Sequence, residues 1–321
     1  MQFVQDSDGN KSHLLLNRFG VPQGSKIGPL AFCIYIMQIA DLPLKGKIIL
    51  YADDITLVYS NELSKIEEDM NADLTCINEF IANMHLKLNE RKTNYIIFNG
   101  AKSYDAICIK SNSTIIEEVK SIKLLGVTFS HNYSFQEHIT DVHVKMSKRI
   151  SYLTRLRHSL PVETLKSIYS STIAPLFEYC SNIWSFEYDT HIEKLVKLQK
   201  KAARVILGKK QDEHSEPLFK QLNWMPLKSR WLFISTSYIQ KCILQDCPKL
   251  LQNAFTCRSS QRNHTRTSEE RRLIEPRIYR NFFGHSVFGN GISAYNKLPS
   301  HIRDSNILKD FKTTLYKYLM T

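Results

Sequence analysis

The sequence predicts an α+β fold over its first 130 residues and a mainly helical, strongly basic second half. Three observations carry this. The early segments run hairpin, helix, hairpin, helix, strands, which suits helices layered on an antiparallel sheet. From about His131 the apolar residues recur at helical spacing. The charge also changes: residues 1–150 carry 16 Lys and Arg against 17 Asp and Glu, whereas residues 151–321 carry 27 against 14, so the net +12 lies wholly in the second half. Such an asymmetry points to a polyanionic partner.

Met1 to Gln5 and Leu14 to Phe19 flank a polar turn with Asp8-Gly9-Asn10 and read as a hairpin. Gly20 to Gly28 is a loop, and the apolar stretch Leu30 to Ala40 reads as a buried helix stopped at Asp41-Leu42-Pro43. In Lys47 to Ser60 two apolar runs enclose Asp53-Asp54, which predicts a hairpin with acids at its tip. Ser64 to His85 is amphipathic, with Ile66, Met70, Leu74, Ile77, Ile81 and Met84 on one face and a capping box of Ser64 and Glu67. Strands are expected at Tyr95–Phe98, Ile107–Ile109 and Ser121–Phe129.

In the second half Ile139, Val142, Met146, Ile150 and Leu153 form a stripe, and Pro161 suits the first position of a helix reaching about Glu178. Thr190 and Glu193 suggest a capping box and Gly208 a stop. Within that helix Ile192, Leu195, Val196, Gln199, Ala202, Ala203 and Ile206 face inward, and Lys194, Lys197, Lys200, Lys201 and Arg204 face outward. From Gln211 on, short helices alternate with the arginine-rich 258–280.

The composition, 43% hydrophobic with 11 Gly and 10 Pro, excludes collagen-like and low-complexity chains. The longest apolar run, Pro29 to Met37, is far short of a membrane span, and residues 1–10 show no secretory signal pattern. Seven scattered cysteines suit reduced thiols in an intracellular compartment, nucleus or cytoplasm. Cys242, Cys247, Cys257 and His264 match no zinc spacing and read as separate thiols. Trp184, Trp224 and Trp231 could stack on bases, but burial is the commoner fate of helical Trp.

Adjacent carboxylates at a hairpin tip suit a hard divalent cation and phosphate chemistry, although Asp is also an ordinary turn residue. The context decides. Gly20-Val21-Pro22-Gln23-Gly24-Ser25, Tyr51-Ala52-Asp53-Asp54, the segment LKLNERKT at 86–93 and Lys123-Leu124-Leu125-Gly126-Val127 occur in that order. Tyr179-Cys180, Ile183-Trp184, Leu198 to Lys201, Tyr295 to Pro299 and Phe311-Lys312 follow. Over nearly its whole length the chain resembles the reverse transcriptases of non-LTR retrotransposons, of the jockey-like and related LINE kind.

The resemblance implies a partial right-hand polymerase. Its parts would be a palm at 1–130, a helical thumb at 131–208 and a basic C-terminal extension at 209–321. It implies RNA template, DNA primer and deoxynucleoside triphosphates as partners, two Mg2+ ions held in part by Asp53 and Asp54, and no membrane. Gln23, Gly24, Ser25 and Tyr51 would contact the templating pair and nucleotide, and Lys92 the departing pyrophosphate. Leu125 and Gly126 match the primer grip, with Leu124 where the family commonly has an aromatic. Lys197, Lys200, Lys201, Arg204, Arg258, Arg262, Arg266, Arg271 and Arg272 would hold nucleic-acid phosphates. The family places a further catalytic Asp and the fingers ahead of the glycine loop. Asp6 and Asp8 fit a plain turn instead, so the expectation is a palm without its first acid, inactive alone. Two rival readings stay open: a non-catalytic nucleic-acid-binding relic, and an interaction protein that reuses the scaffold.

Overall fold

The computed structural model describes residues 3–13, 20, 24–98, 104–257, 272–276 and 286–320. It is α+β, with helices and small sheets, and divides into two units: Met1–Ile96 with Lys102–Val119, and Ile97–Ala101 with Lys120–Thr321.

In the first unit α1 (Gly28–Ile36) passes into a 3-10 turn (Met37–Asp41), so the expected Leu30–Ala40 helix starts earlier and tightens at its end, and it is not wholly buried: Leu30, Ile34 and Met37 are exposed. β1 (Lys47–Tyr51) and β2 (Asp54–Val58) form the expected antiparallel hairpin, in register from Lys47 opposite Val58 to Tyr51 opposite Asp54. Strand alternation turns Ile48, Leu50, Ile55 and Leu57 inward. They pack with Ile36, Ile39, Ile77 and Ile81 from α1, the 3-10 turn and α2 (Leu63–Asn83). Leu86 and Leu88 complete this core.

The Ser64–Glu67 capping box does not form. The helix begins at Leu63, which leaves Ser64 inside its first turn, and Glu67 Oε1 instead accepts from the Cys108 N–H at 3.1 Å. The same helix face explains why Ile107–Ile109 is not a strand. Asn71 donates to the Cys108 carbonyl (3.0 Å) and accepts from the Lys110 N–H (2.8 Å). Side chains of α2 thus take the bonds that a neighbouring strand would make, and Ile109 and Ile116 pack on Leu74. The strands that do form are short: β3 (Asn94–Tyr95) pairs in parallel with β6 (Glu117–Glu118), and β4 (Lys110–Ser111) pairs with β5 (Thr114–Ile115). Among the described residues there are four two-stranded sheets, not one antiparallel sheet. Of the expected N-terminal hairpin only the bridge Gln5–Lys11 is described; Leu14 to Phe19 lie outside the described residues.

The second unit opens with the hairpin β7 (Ser121–Leu124) and β8 (Val127–Ser130). α3 (Gln136–Leu156) buries all five stripe residues expected of it. Pro161 is the N-cap of α4 (Val162–Ile168), one place earlier than its expected position inside the helix. A π turn (Tyr169–Ile173) then leads into α5 (Ala174–Glu178). Pro175 has no N–H for the α-helical bond to the carbonyl of residue 171, which accounts for the widened turn. The Thr172 carbonyl accepts from Arg149 of α3.

After α6 (Ser181–Trp184), α7 (Asp189–Leu207) buries Ile192, Leu195, Gln199, Ala202, Ala203 and Ile206 as expected, with Leu198 and Val205. Val196 is half-buried against the same core. The buried Gln199 amide is satisfied: it donates to the Met225 carbonyl (3.0 Å) and accepts from the Leu227 N–H (2.8 Å), fixing the start of α9 (Leu227–Ile243). The Thr190–Glu193 capping box is also absent; the helix starts at Asp189, and both Asp189 and Glu193 bind Lys228. Gly208, at φ 66°, ends the helix as expected. α8 (Ser215–Leu222) closes the same core. A second cluster joins α9 to Leu273 and the helices at 292–296, 300–303 and 308–320.

Candidate functional site

Asp53 lies in the two-residue turn of the β1–β2 hairpin, and Asp54 is the first residue of β2. Of the two turn residues only Ala52 has positive φ, at 52°, as the first central position of a II′ turn requires. Register puts Asp54 on the outer hairpin face with Tyr51, Ile49 and Val58, all exposed. Among the described residues the side chains of Asp53 and Asp54 have no hydrogen bond or ion pair, so their carboxylate oxygens are free to meet a hard cation. Oxygen donors of this kind suit Mg2+, but two carboxylates are a partial ligand set. Among the described residues no group of three or more His, Cys, Asp or Glu side chains is arranged for a metal ion. Asp6 is committed to its own turn: it accepts from the N–H groups of Asp8 (3.0 Å) and Asn10 (2.8 Å) and from the Asn10 amide (3.0 Å). These bonds, the Asn10 side chain first, hold its carboxyl below the usual range.

Gln23 lies outside the described residues. Gly24 turns at φ 84°, and Ser25 Oγ accepts from the Gly28 N–H at 2.9 Å, which caps the first turn of α1. Lys92 is exposed and ends a 3-10 turn (Glu90–Lys92). Glu90 anchors that turn by accepting from Thr114, from Asn112 (3.2 Å) and from Ser111 (3.5 Å), and the Thr114 bond first among these lowers its carboxyl pKa.

One determinant escapes the sequence reading. Asp73, buried on α2, accepts from the N–H groups of Lys45 (3.0 Å to each oxygen) and Gly46 (2.9 Å) and from the Tyr59 hydroxyl (2.8 Å). It therefore grips the entry of β1 and the exit of β2, the two ends of the hairpin that carries Asp53 and Asp54. A Cβ on Gly46 would come within 2.6 Å of the Tyr59 ring, so glycine is required at that point. The available signal was an acid on the apolar face between Met70 and Ile77.

Leu125 and Gly126 form the β7–β8 turn, both with positive φ (46° and 85°), the I′ geometry of tight hairpins. Tyr179 covers this turn: its hydroxyl donates to the Leu125 carbonyl at 2.7 Å, and its ring would sit 3.3 Å from a Cβ at Gly126. This turn and the Asp pair belong to different units.

Lys197 and Lys201 are exposed on α7, and Lys200 is half-buried. Arg204 is bound through Nε (2.9 Å) and Nη2 (2.7 Å) to the Glu213 carbonyl, so it also pins the loop after the helix. Arg272 is exposed; Arg258, Arg262, Arg266 and Arg271, with His264, lie outside the described residues. Trp184 and Trp231 are buried, and their indole N–H groups donate to the carbonyls of Tyr179 (3.0 Å) and Phe177 (2.6 Å). Trp224 stacks on Tyr169. These contacts place the three tryptophans in structural roles. All seven cysteines are free thiols. The segment Tyr295 to Pro299 is likewise a node of the core, where Asn296 binds Leu273 backbone and Tyr295 binds Gln240.

Comparison with known proteins now bears on the Asp53–Asp54 hairpin. Residues 2–129 match the family described as Reverse transcriptase (RNA-dependent DNA polymerase). The chain is 28% identical over 197 residues to the probable RNA-directed DNA polymerase from transposon X-element of Drosophila melanogaster, covering 59% of this chain and 22% of that protein. It is 27% identical over 221 residues to the RNA-directed DNA polymerase from mobile element jockey of Drosophila funebris, covering 64% of this chain and 24% of that protein. The chain thus spans about a quarter of the length of these curated relatives. No solved structure gives a significant match. The resemblance to reverse transcriptases of non-LTR retrotransposons drawn from the motif order is borne out for residues 2–129 by the family match, and for about 60% of the chain by these relatives. Reverse transcriptases work on an RNA template, a primer and nucleotides, and polymerases use divalent metals. Among the described residues no helix is long and apolar enough to cross a membrane.

Proposed function

We propose that the chain is a portion of an RNA-directed DNA polymerase of a non-LTR retrotransposon, with residues 1–130 as palm, 131–208 as thumb and 209–321 as a basic extension. The observation that supports this most is the exposed Asp53–Asp54 pair, its carboxylates without partners among the described residues, at a tight hairpin turn within the segment matching the reverse transcriptase family. In this reading Asp53 and Asp54 supply oxygen ligands for Mg2+; when bound, the ions stabilise the attacking and leaving oxygens of nucleotidyl transfer. Gln23, Gly24, Ser25 and Tyr51 orient the nucleotide and templating base. Lys92, exposed at the end of its turn, neutralises or protonates departing pyrophosphate. Leu125 and Gly126 hold the primer end, and Lys197, Lys200, Lys201, Arg204 and the arginines from 258 to 272 neutralise nucleic-acid phosphates.

Two carboxylates cannot balance two divalent ions, so the chain alone extends no primer. Removing a bridging ligand costs several powers of ten, because the metals contribute several kcal/mol of transition-state stabilisation. Primer extension on an RNA template tests this: no product is expected from the 321 residues, and product from a version carrying the polymerase strand and acid of a relative upstream. Asp53→Ala then abolishes that product. Extension by the 321 residues alone, lost in Asp53→Ala, refutes the ligand argument; no extension by either version refutes the polymerase reading. Among the described residues no third acid joins Asp53 and Asp54, which also suits a second reading, a nucleic-acid-binding relic without catalysis. It predicts salt-dependent RNA binding with no extension in any version.

A further inference from the structure

The α3–α7 pair holds a groove of about 580 Å3. One wall is the outward face of α7: Lys194, Lys197, Lys200, Lys201 and Arg204. Among the described residues no carboxylate lines it, and Lys194, Lys197, Lys200 and Lys201 have no ion-pair partner. Lys209, beyond the helix, also lines it, though Glu213 pairs with it at 3.5 Å. Cations gathered without acids repel one another, so the arrangement favours a bound polyanion. The floor is different in kind. Leu198 and Val205 reach the groove while each is only 8% exposed, so they are open at depth. His143 of α3, half-buried, supplies the one flat ring of the lining.

We propose that this groove is a subsite for a single nucleic-acid strand, with phosphates on the α7 lysines and an unstacked base laid on Leu198 and Val205 against His143. The inference rests on the nucleic-acid reading of the second half and refines it. A volume of this size is that of a small-molecule pocket, the scale of one or two nucleotides. A duplex presents a convex row of phosphates with its bases stacked inside, and would leave the apolar floor empty. Single strands are held by this combination of cations along the backbone and a flat or apolar surface under the base. A lipid surface is flat and is met by protruding side chains, whereas these apolar atoms are recessed.

The test is fluorescence anisotropy on the full chain with a short labelled oligouridylate, and separately with a blunt RNA duplex. Anionic phosphatidylserine vesicles serve as competitor. Wild type is expected to bind the single strand. Lys197→Ala/Lys201→Ala should weaken it roughly tenfold at 0.1 M salt and reduce the log–log salt slope by about 1.4, two contacts at about 0.7 each. His143→Ala should weaken it about fivefold with the slope unchanged, since stacking carries no counterion release. Duplex binding should change less than single-strand binding in both variants. Equal loss of both, an unchanged single-strand affinity, or stoichiometric displacement by the vesicles overturns the subsite. If wild type binds neither RNA at low salt, the nucleic-acid reading of the second half fails with it.

Discussion

Removing the Asp73 carboxylate should loosen the hairpin that carries Asp53 and Asp54 from its base upward. Asp73 receives three donors, the Lys45 and Gly46 N–H groups and the Tyr59 hydroxyl. In Asp73→Ala the Gly46 N–H stays buried without a partner, at a cost of about 1–3 kcal/mol, while the half-exposed Lys45 N–H and Tyr59 hydroxyl partly recover water. With the lost charge-assisted bonds the total is about 3–4 kcal/mol, a large part of the stability of an ordinary domain. Asp73→Asn keeps one acceptor but turns an amide NH2 toward N–H donors, so it should cost about 2 kcal/mol, and Tyr59→Phe about 1 kcal/mol. Burial first, and then the bond to Asp73, pushes the Tyr59 phenol well above its usual pKa. It therefore stays a neutral donor, and stability should fall as pH rises past about 10, where the unfolded phenol ionises first. Urea unfolding monitored with amide exchange at Gly46 gives the ranking Ala, Asn, Phe in decreasing damage. If Asp73→Ala unfolds within about 0.5 kcal/mol of wild type and Gly46 remains protected, the clamp is not what holds the hairpin.

Ala52→Gly should stabilise the hairpin by about 0.5–1 kcal/mol, the left-handed strain at φ 52° less the extra freedom of unfolded glycine, read as a rise in urea midpoint. Gly126→Ala should cost about 1–2 kcal/mol, from φ 85° and from the Tyr179 ring at 3.3 Å, and Tyr179→Ala should relieve only the second part. His138 is buried, and burial first, then Lys145, lowers its pKa below 6.5. Below that pH the unfolded chain takes up a proton the folded one refuses, so stability should fall by up to about 1.4 kcal/mol per pH unit, and His138→Gln should flatten the decline in unfolding scans from pH 7 to 5.

Elements with a strong period were legible in the sequence. The stripes of α2, α3 and α7 and the acid-tipped hairpin follow from where apolar side chains recur, and burial enforces that period. Even the polar Gln199 was placed inward by spacing alone. Helix starts were misread because Ser64 and Thr190 have the chemistry of a cap but fall two positions too deep, with Glu62 and Tyr188 as the actual caps and no side-chain bond made there. Ile107–Ile109 has strand composition, yet Glu67 and Asn71, over 30 residues away, take its backbone bonds. Such long-range partners leave no local trace. The same holds for Tyr179 over the Leu125–Gly126 turn: both motifs were visible, and their contact was not.

The π turn at Tyr169–Ile173 makes the helical segment intolerant of added length. It accommodates one residue more than an α-helical turn would, while Tyr169, Ile173 and Phe177 all remain buried. Deleting one residue from Ser170–Thr172 would restore an ordinary turn and leave Phe177 in phase with Tyr169, whereas inserting one there would exceed what the π turn absorbs and rotate everything after it by about 100°, the angle of a single helical residue. With that insertion Phe177 would swing off the core, and its carbonyl would leave the Trp231 indole. Substitutions along the exposed side of this turn should be silent, whereas a single-codon insertion there would be read as the loss of the whole helical core.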